Sequence, residues 1–185
     1  EYQEKIIWRK PEGYIRISRR SGVILQHPYP MYFYPDNIYE EVVVFRRPGE
    51  FDPSSVPAHA RERSRIDVRR FQAEKWYLSV WDIRNVLPSE KWSKYTAAFP
   101  EELVERLVRL YSYAGETVLD PFLGTGTTCA VARRLGRNCI GYELDLELRE
   151  AIEERLGVGL RTLTGEDKVE VVAREDARRL SLGYR

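Results

Sequence analysis

Two acidic residues, Asp120 and Glu143, each follow a short apolar run, and a glycine-rich turn lies between them. The first run reads Val118-Leu119-Asp120-Pro121-Phe122-Leu123-Gly124-Thr125-Gly126-Thr127-Thr128, and the second Cys139-Ile140-Gly141-Tyr142-Glu143-Leu144-Asp145. A strand ending in an acid, a glycine loop opening a helix, and a second strand ending in an acid roughly 20 residues on form the βαβ arrangement that holds a nucleoside. An ordinary turn with a helix-capping acid would explain Asp120, Gly124 and Gly126, but not Pro121-Phe122, the Thr127-Thr128 helix start and Glu143 together.

The loop chemistry selects among cofactors. A dinucleotide fingerprint places glycine at the third position of G-x-G-x-x-G, where helix and strand pack closely, and Cys129 stands there instead. No G-x-x-x-x-G-K-[ST] occurs, so a P-loop is excluded. Asp120 suits a cationic ammonium group beside a sulfonium, and Glu143 can accept both ribose hydroxyls. That charge pattern fits S-adenosylmethionine better than NAD.

At these residues the chain resembles the amino-methylating DNA methyltransferases of the permuted beta class, which modify exocyclic nitrogens of adenine or cytosine. Three stretches carry the likeness in the family's order: Tyr95-Thr96-Ala97-Ala98-Phe99-Pro100-Glu101-Glu102-Leu103, the Asp120 loop, and Ile140-Gly141-Tyr142-Glu143. Upstream, Ile6-Ile7-Trp8-Arg9-Lys10-Pro11, Glu41-Val42-Val43-Val44-Phe45-Arg46-Arg47 and Ser79-Val80-Trp81-Asp82-Ile83 resemble its strand-and-hairpin segment. Thr125 replaces the family's serine, and Tyr95 its histidine. The resemblance implies an α/β, Rossmann-like fold with circularly permuted motif order, and cofactor contacts from Phe99, Pro100, Asp120, Pro121, Phe122, Gly124, Gly126, Thr127, Thr128 and Glu143. Asp176 matches the family's acid facing the adenine amino group, although it could equally cap a helix.

The family's catalytic signature, an acid, asparagine or serine followed by Pro-Pro and an aromatic, is absent, because the sequence holds no Pro-Pro pair. In the beta class that motif precedes the segment beginning at Glu1, so the resemblance implies the C-terminal part of a longer protein, without its N-terminal strands and inactive alone. A missing N-terminal segment or a complementing chain is then a partner, and a homodimer is compatible. The alternative is a noncatalytic subunit or remnant that binds cofactor and nucleic acid. An RNA methyltransferase with a similar loop ranks third, since its Pro-Pro motif would follow the loop.

The formal net charge of +1 hides an uneven distribution. Arg9, Lys10, Arg16, Arg19, Arg20, Arg61, Arg63, Arg65, Arg69, Arg70 and Lys75 crowd the first half. Arg61, Arg63, Arg65, Arg69 and Arg70 are the candidate contacts to double-stranded DNA, set against the plainer reading of a solvated face. The aromatics Tyr29, Tyr32, Phe33 and Tyr34 could stack bases but read more simply as a packed hairpin loop. Cys129 and Cys139 lack metal-ligand spacing and read as reduced core residues. His27 and His59 lie in loop-like sequence, and no metal site is assigned. No apolar run approaches the ~20 residues of a membrane span, and no signal peptide opens the chain, which points to a cytoplasmic protein without membrane contact.

Three segments follow: a strand pair over 1–47, a basic loop-rich segment over 48–95 with a possible target-recognition role, and the cofactor-binding βαβ domain over 96–185. Strands are expected at Ile6–Trp8 and Val42–Phe45, paired antiparallel across a long connection. Gly49, Pro53, Ser54, Ser55 and Pro57, then the arginine run, predict a mobile loop to about Arg70. Leu103, Val104, Leu107, Val108 and Tyr111 form a helical stripe opened by Pro100. Strands at Thr117–Leu119, Asn138–Tyr142 and Val169–Val172 alternate with helices at Thr127–Leu135 and Leu146–Leu156, stopped by Gly136 and Gly157.

Overall fold

The computed structural model describes residues 1–11, 22–86, 99–158 and 169–172, and the chain divides into two compact units, 1–86 and 87–185. The first is built on a three-stranded sheet ordered β2-β1-β3. β1 (Tyr2–Arg9) pairs antiparallel with β2 (Tyr39–Phe45) and parallel with β3 (Val80–Asp82). Alternation along β1 puts Ile6 and Trp8 on one face, where Trp81 of β3 stands opposite Trp8 and all three are buried. The Trp8 indole donates to the Ile83 carbonyl at 2.7 Å and that of Trp81 to the Trp76 carbonyl at 3.1 Å, so the rings enter the core with their polar atoms satisfied. On the opposite face Tyr39, Val43, Phe45 and Val80 stand exposed. At the strand ends the Arg9 guanidinium, hydrogen-bonded to Asp82 at 2.5 and 2.8 Å, holds that carboxyl below its usual range.

The connection from β1 to β2 contains the short helix α1 (Val23–Gln26). The aromatics beyond it are packed only in part: Tyr29, Phe33 and the neighbouring Met31 are 66%, 71% and 91% exposed, whereas the Tyr32 ring lies 5.4 Å from that of His27. Three prolines nearby, Pro28, Pro30 and Pro35, deny the segment the backbone donors that would fold it back on itself.

The expected mobile loop after Pro48 is replaced by ordered helix. A 3-10 turn over Pro53–Ser55 leads to α2 (Ala58–Arg63) and then α3 (Val68–Ala73). Asp67 caps α3, its carboxylate accepting from the Arg69 and Arg70 amides at 2.9 and 3.1 Å. Val56 and Ala60 are buried, which fastens this arginine-rich stretch to the unit.

The second unit places helices on one face of a two-stranded parallel sheet. α4 (Glu101–Tyr111) packs on α5 (Thr127–Arg134), and β4 (Thr117–Asp120) runs beside β5 (Asn138–Gly141). Pro100 precedes α4 as its N-cap, and the helix carries Glu101 and Glu102 in its first turn and Arg109 in its last, as the helix dipole favours. Val104, Val108 and Val131 form a core against which Val118 and Leu135 pack. The other sheet face is bare, with Leu119 60% and Ile140 50% exposed. A 3-10 turn over Leu146–Leu148 leads into α6 (Arg149–Leu156). No strand forms over Val169–Val172, because the β-branched run finds no ladder partner among the described residues. None of the described helices is long and apolar enough to cross a membrane.

The two cysteines are not free thiols. Cys129 on α5 and Cys139 on β5 are joined in a disulfide across a Cα–Cα distance of 5.2 Å. Helix and strand pack directly here, and both side chains point into that interface. The position that a dinucleotide fold reserves for glycine is thus used for a covalent link.

Candidate functional site

The loop between β4 and α5 turns on two glycines in left-handed conformations, Gly124 at φ 56° and Gly126 at φ 88°, which L side chains adopt only with strain. The Gly126 amide donates to the Leu123 carbonyl at 3.0 Å and its carbonyl accepts the Ala130 amide at 3.0 Å, so the turn passes directly into the helix. Beyond β4 and β5 the chain stays stitched: Tyr142 donates to Asp120 at 2.9 Å and Leu123 to Tyr142 at 2.8 Å. The two acid-bearing strand ends are thereby held side by side.

Glu143 closes the loop. One of its carboxylate oxygens accepts the Gly124 amide at 2.8 Å, across 19 residues, and the other accepts the amides of Leu144 and Asp145, both at 2.8 Å. The oxygen bonded to Gly124 retains acceptor capacity for one further donor. Asp120 is half-buried and uses one oxygen to accept the Phe122 amide at 3.0 Å. Its second oxygen has no partner among the described residues. The loop therefore presents two carboxylates, each with one oxygen able to take a ligand donor. A cavity of about 350 Å³ runs along β5, lined at one end by Leu123, Glu143, Asp145 and Leu146 and at the other by Arg137 and Asn138. That is within the size range of small-molecule sites.

The remaining expected residues divide. Pro121 and Phe122 project from the loop, Phe122 being 86% exposed, and Thr128 is half-buried in the first turn of α5. Phe99 is 48% exposed at the start of α4, and Pro100 is buried. Thr127 faces elsewhere: it is buried, and its hydroxyl accepts from Arg155 of α6 at 2.8 Å. Asp176 and Tyr95 lie outside the described residues, as do Arg16, Arg19 and Arg20.

Among the candidate DNA contacts, Arg61, Arg63, Arg65 and Arg69 are exposed, and Arg65 lies 3.8 Å from Glu62 in a loose ion pair. Arg70 is engaged: it donates to Glu74 at 2.8 Å and lies 5.2 Å over the Trp76 ring. Sequence reading missed this clamp, although Arg70 and Glu74 at i, i+4 carried a signal for it. It also missed Gly124 as the donor to Glu143.

Fold and loop together define an α/β unit whose two strand-end carboxylates meet at a glycine turn, and the other unit bears exposed arginines. Residues 1–154 match the family model for N6/N4 methyltransferases, described as DNA methylase, and the chain belongs to that family. It is 34% identical over 177 residues to the type II methyltransferase M.MjaI of Methanocaldococcus jannaschii, covering 91% of this chain and 54% of that protein. The type II methyltransferase M.MthZI of Methanothermobacter thermautotrophicus is 36% identical over 162 residues, or 84% and 43%. TTHA0409 of Thermus thermophilus, assigned as a DNA modification methylase and crystallised with S-adenosyl-L-methionine, superposes with a TM-score of 0.62 at 31% identity, covering 86% and 56%. The fold is therefore that of the α/β DNA methyltransferases, and this chain spans about half the length of the curated relatives it matches.

Proposed function

We propose that this chain is the cofactor-binding part of a site-specific DNA methyltransferase that acts on the exocyclic amino group of adenine or cytosine. S-adenosylmethionine, when bound, supplies the activated methyl group. Asp120 receives the cofactor's ammonium with its open oxygen, Glu143 takes one ribose hydroxyl, and Phe99 with Phe122 borders the methionine end. Gly124 and Gly126 let the backbone approach the ligand. Asp176 is assigned to the adenine amino group on the resemblance alone. The exposed arginines Arg61, Arg63, Arg65 and Arg69 hold phosphates of double-stranded DNA.

The observation that carries the reading is the Gly124–Glu143 hydrogen bond, which brings both strand-end acids into one preorganised loop. Full bidentate capture of the ribose by Glu143 would require it to release the Leu144 and Asp145 amides, so a single hydroxyl contact suits this geometry better. Titration of the chain with S-adenosylhomocysteine tests it: saturable binding supports the assignment, and its absence overturns it.

The amino-positioning Pro-Pro-aromatic loop is assigned to a segment supplied in cis or by a complementing chain. The bare face carrying Leu119 and Ile140 on the parallel pair β4–β5 supports such a partner, because parallel sheets are ordinarily covered on both faces. The type II names of the relatives support a restriction-modification setting, and the cytoplasm is the compartment assigned to it. A homodimer is compatible with the same bare face.

A further inference from the structure

α3 ends in a Schellman turn with lysine where glycine is usual. Lys75 sits at φ 54°, the Lys75 amide donates to Gln72 at 3.2 Å, and the Trp76 amide donates to Phe71 at 3.0 Å. The rings of Phe71 and Trp76 make the accompanying apolar contact, 6.3 Å apart and edge to face. Trp76 is buried and fastened at both ends. Its indole donates to Glu74 at 2.7 Å, Arg70 covers its ring, and its carbonyl accepts from Trp81 of the sheet. Beyond this turn the Ser79 carbonyl accepts the Ile7 amide at 2.8 Å.

Tyr77 and Leu78 are thus carried on a turn clamped on either side. Tyr77 is 59% exposed, and one side of its ring leans on Phe71, with centroids 6.1 Å apart. Trp76, Phe71 and Tyr77 form a series of three rings from core to surface, with the last open to solvent. Two exposed cations stand close by in sequence, Lys75 two residues before Tyr77 and Arg69 two residues before Phe71. An exposed ring leaning on Phe71 from a clamped turn, in a stretch that also carries exposed cations, has the composition of a nucleobase-stacking platform. A stacked duplex offers no base face, so such a platform serves a base that has left the stack.

We propose that Tyr77 is a stacking platform for a single unstacked base in DNA bound along the arginine-bearing surface of this unit. The inference rests on the DNA-binding reading above, and it assigns a specific contact to a residue outside the cofactor loop.

The test measures binding of the full chain to two labelled duplexes of about 30 base pairs and the same sequence, one intact and one with a single abasic site, which leaves an orphan base free to unstack. Wild type is expected to prefer the abasic duplex by about tenfold or more, within the range for base–aromatic stacking. Tyr77→Ala should erase that preference and leave affinity for the intact duplex and the melting temperature unchanged, whereas Tyr77→Phe should keep the preference. A combined Arg61→Ala, Arg63→Ala and Arg65→Ala variant should weaken both duplexes equally. Equal wild-type affinity for the two duplexes, or a preference that survives Tyr77→Ala, overturns the platform while leaving the DNA-binding reading intact. Failure of wild type to bind either duplex overturns both.

Discussion

Replacing Glu143 by alanine should injure the fold and the cofactor site together, whereas replacing Asp120 should injure the site alone. The Glu143 carboxylate accepts three backbone amides, each at 2.8 Å, and one of them closes the glycine loop. Charge-assisted hydrogen bonds are worth about 1.5–3 kcal/mol each when water is excluded. Glu143 is only half-buried, so water replaces most of what is removed, and the expected drop in stability is about 1–2 kcal/mol, or roughly 2–8 °C in melting temperature. Cofactor affinity loses a ligand acceptor and an ordered loop, about 1.5–3 kcal/mol, which is roughly 10- to 150-fold. Asp120 accepts a single backbone amide, so Asp120→Ala should cost the fold less than about 1 kcal/mol while weakening the cofactor by a similar amount, about 1.5–3 kcal/mol. Calorimetric titration with S-adenosylhomocysteine, alongside thermal melts, separates the two effects. Equal affinity of wild type and both variants would refute the assignment of the acids.

Three other expectations follow from the same geometry. Changing Arg61, Arg63 and Arg65 to alanine should flatten the dependence of log K for duplex DNA on log salt by about 0.9 for each phosphate no longer neutralised, with cofactor titrations unchanged; an unaltered slope returns these residues to a solvated surface. Reduction of the Cys129–Cys139 bond, or its replacement by alanines, should lower stability by about 2–3 kcal/mol for a closed loop of this short length, read as a drop in melting temperature with reductant; a melt insensitive to reductant contradicts the link. The 185-residue chain, which has no Pro-Pro pair, should incorporate no tritiated methyl into DNA by itself, and multiple turnover by this chain alone would show that the amino-positioning motif has been misplaced.

Elements whose apolar period was undisturbed were legible in the sequence. β1 and β2, α4 with its Leu103-Val104-Leu107-Val108 stripe, and the β4–α5–β5 unit all follow the apolar runs that announced them. What escaped depended on tertiary contact. α2 buries only Ala60 and α3 buries no residue fully, so neither shows a stripe, and the prolines and serines before them read as loop. The Asp67 cap and the i, i+4 spacing of Arg70 and Glu74 were the local signals of α3. The disulfide joins residues ten apart on a helix and a strand, a proximity that no spacing rule reveals. Val169–Val172 shows the reverse failure, since β-branched composition does not make a strand without a partner edge. In the site, both acids were evident from the motif, but the closing of the loop by Glu143 onto Gly124 was not. Arg70 looked like its exposed neighbours until Trp76 and Glu74 were seen to hold it.

The most direct measurement of the central claim is equilibrium dialysis of the 185-residue chain against tritiated S-adenosylmethionine, with S-adenosylhomocysteine, NAD⁺ and ATP as competitors. The geometry of the Asp120 loop and Glu143 calls for saturable binding of one label per chain, displaced by S-adenosylhomocysteine and not by NAD⁺ or ATP. Absence of saturable binding, or displacement by NAD⁺ as effective as that by S-adenosylhomocysteine, would contradict the account.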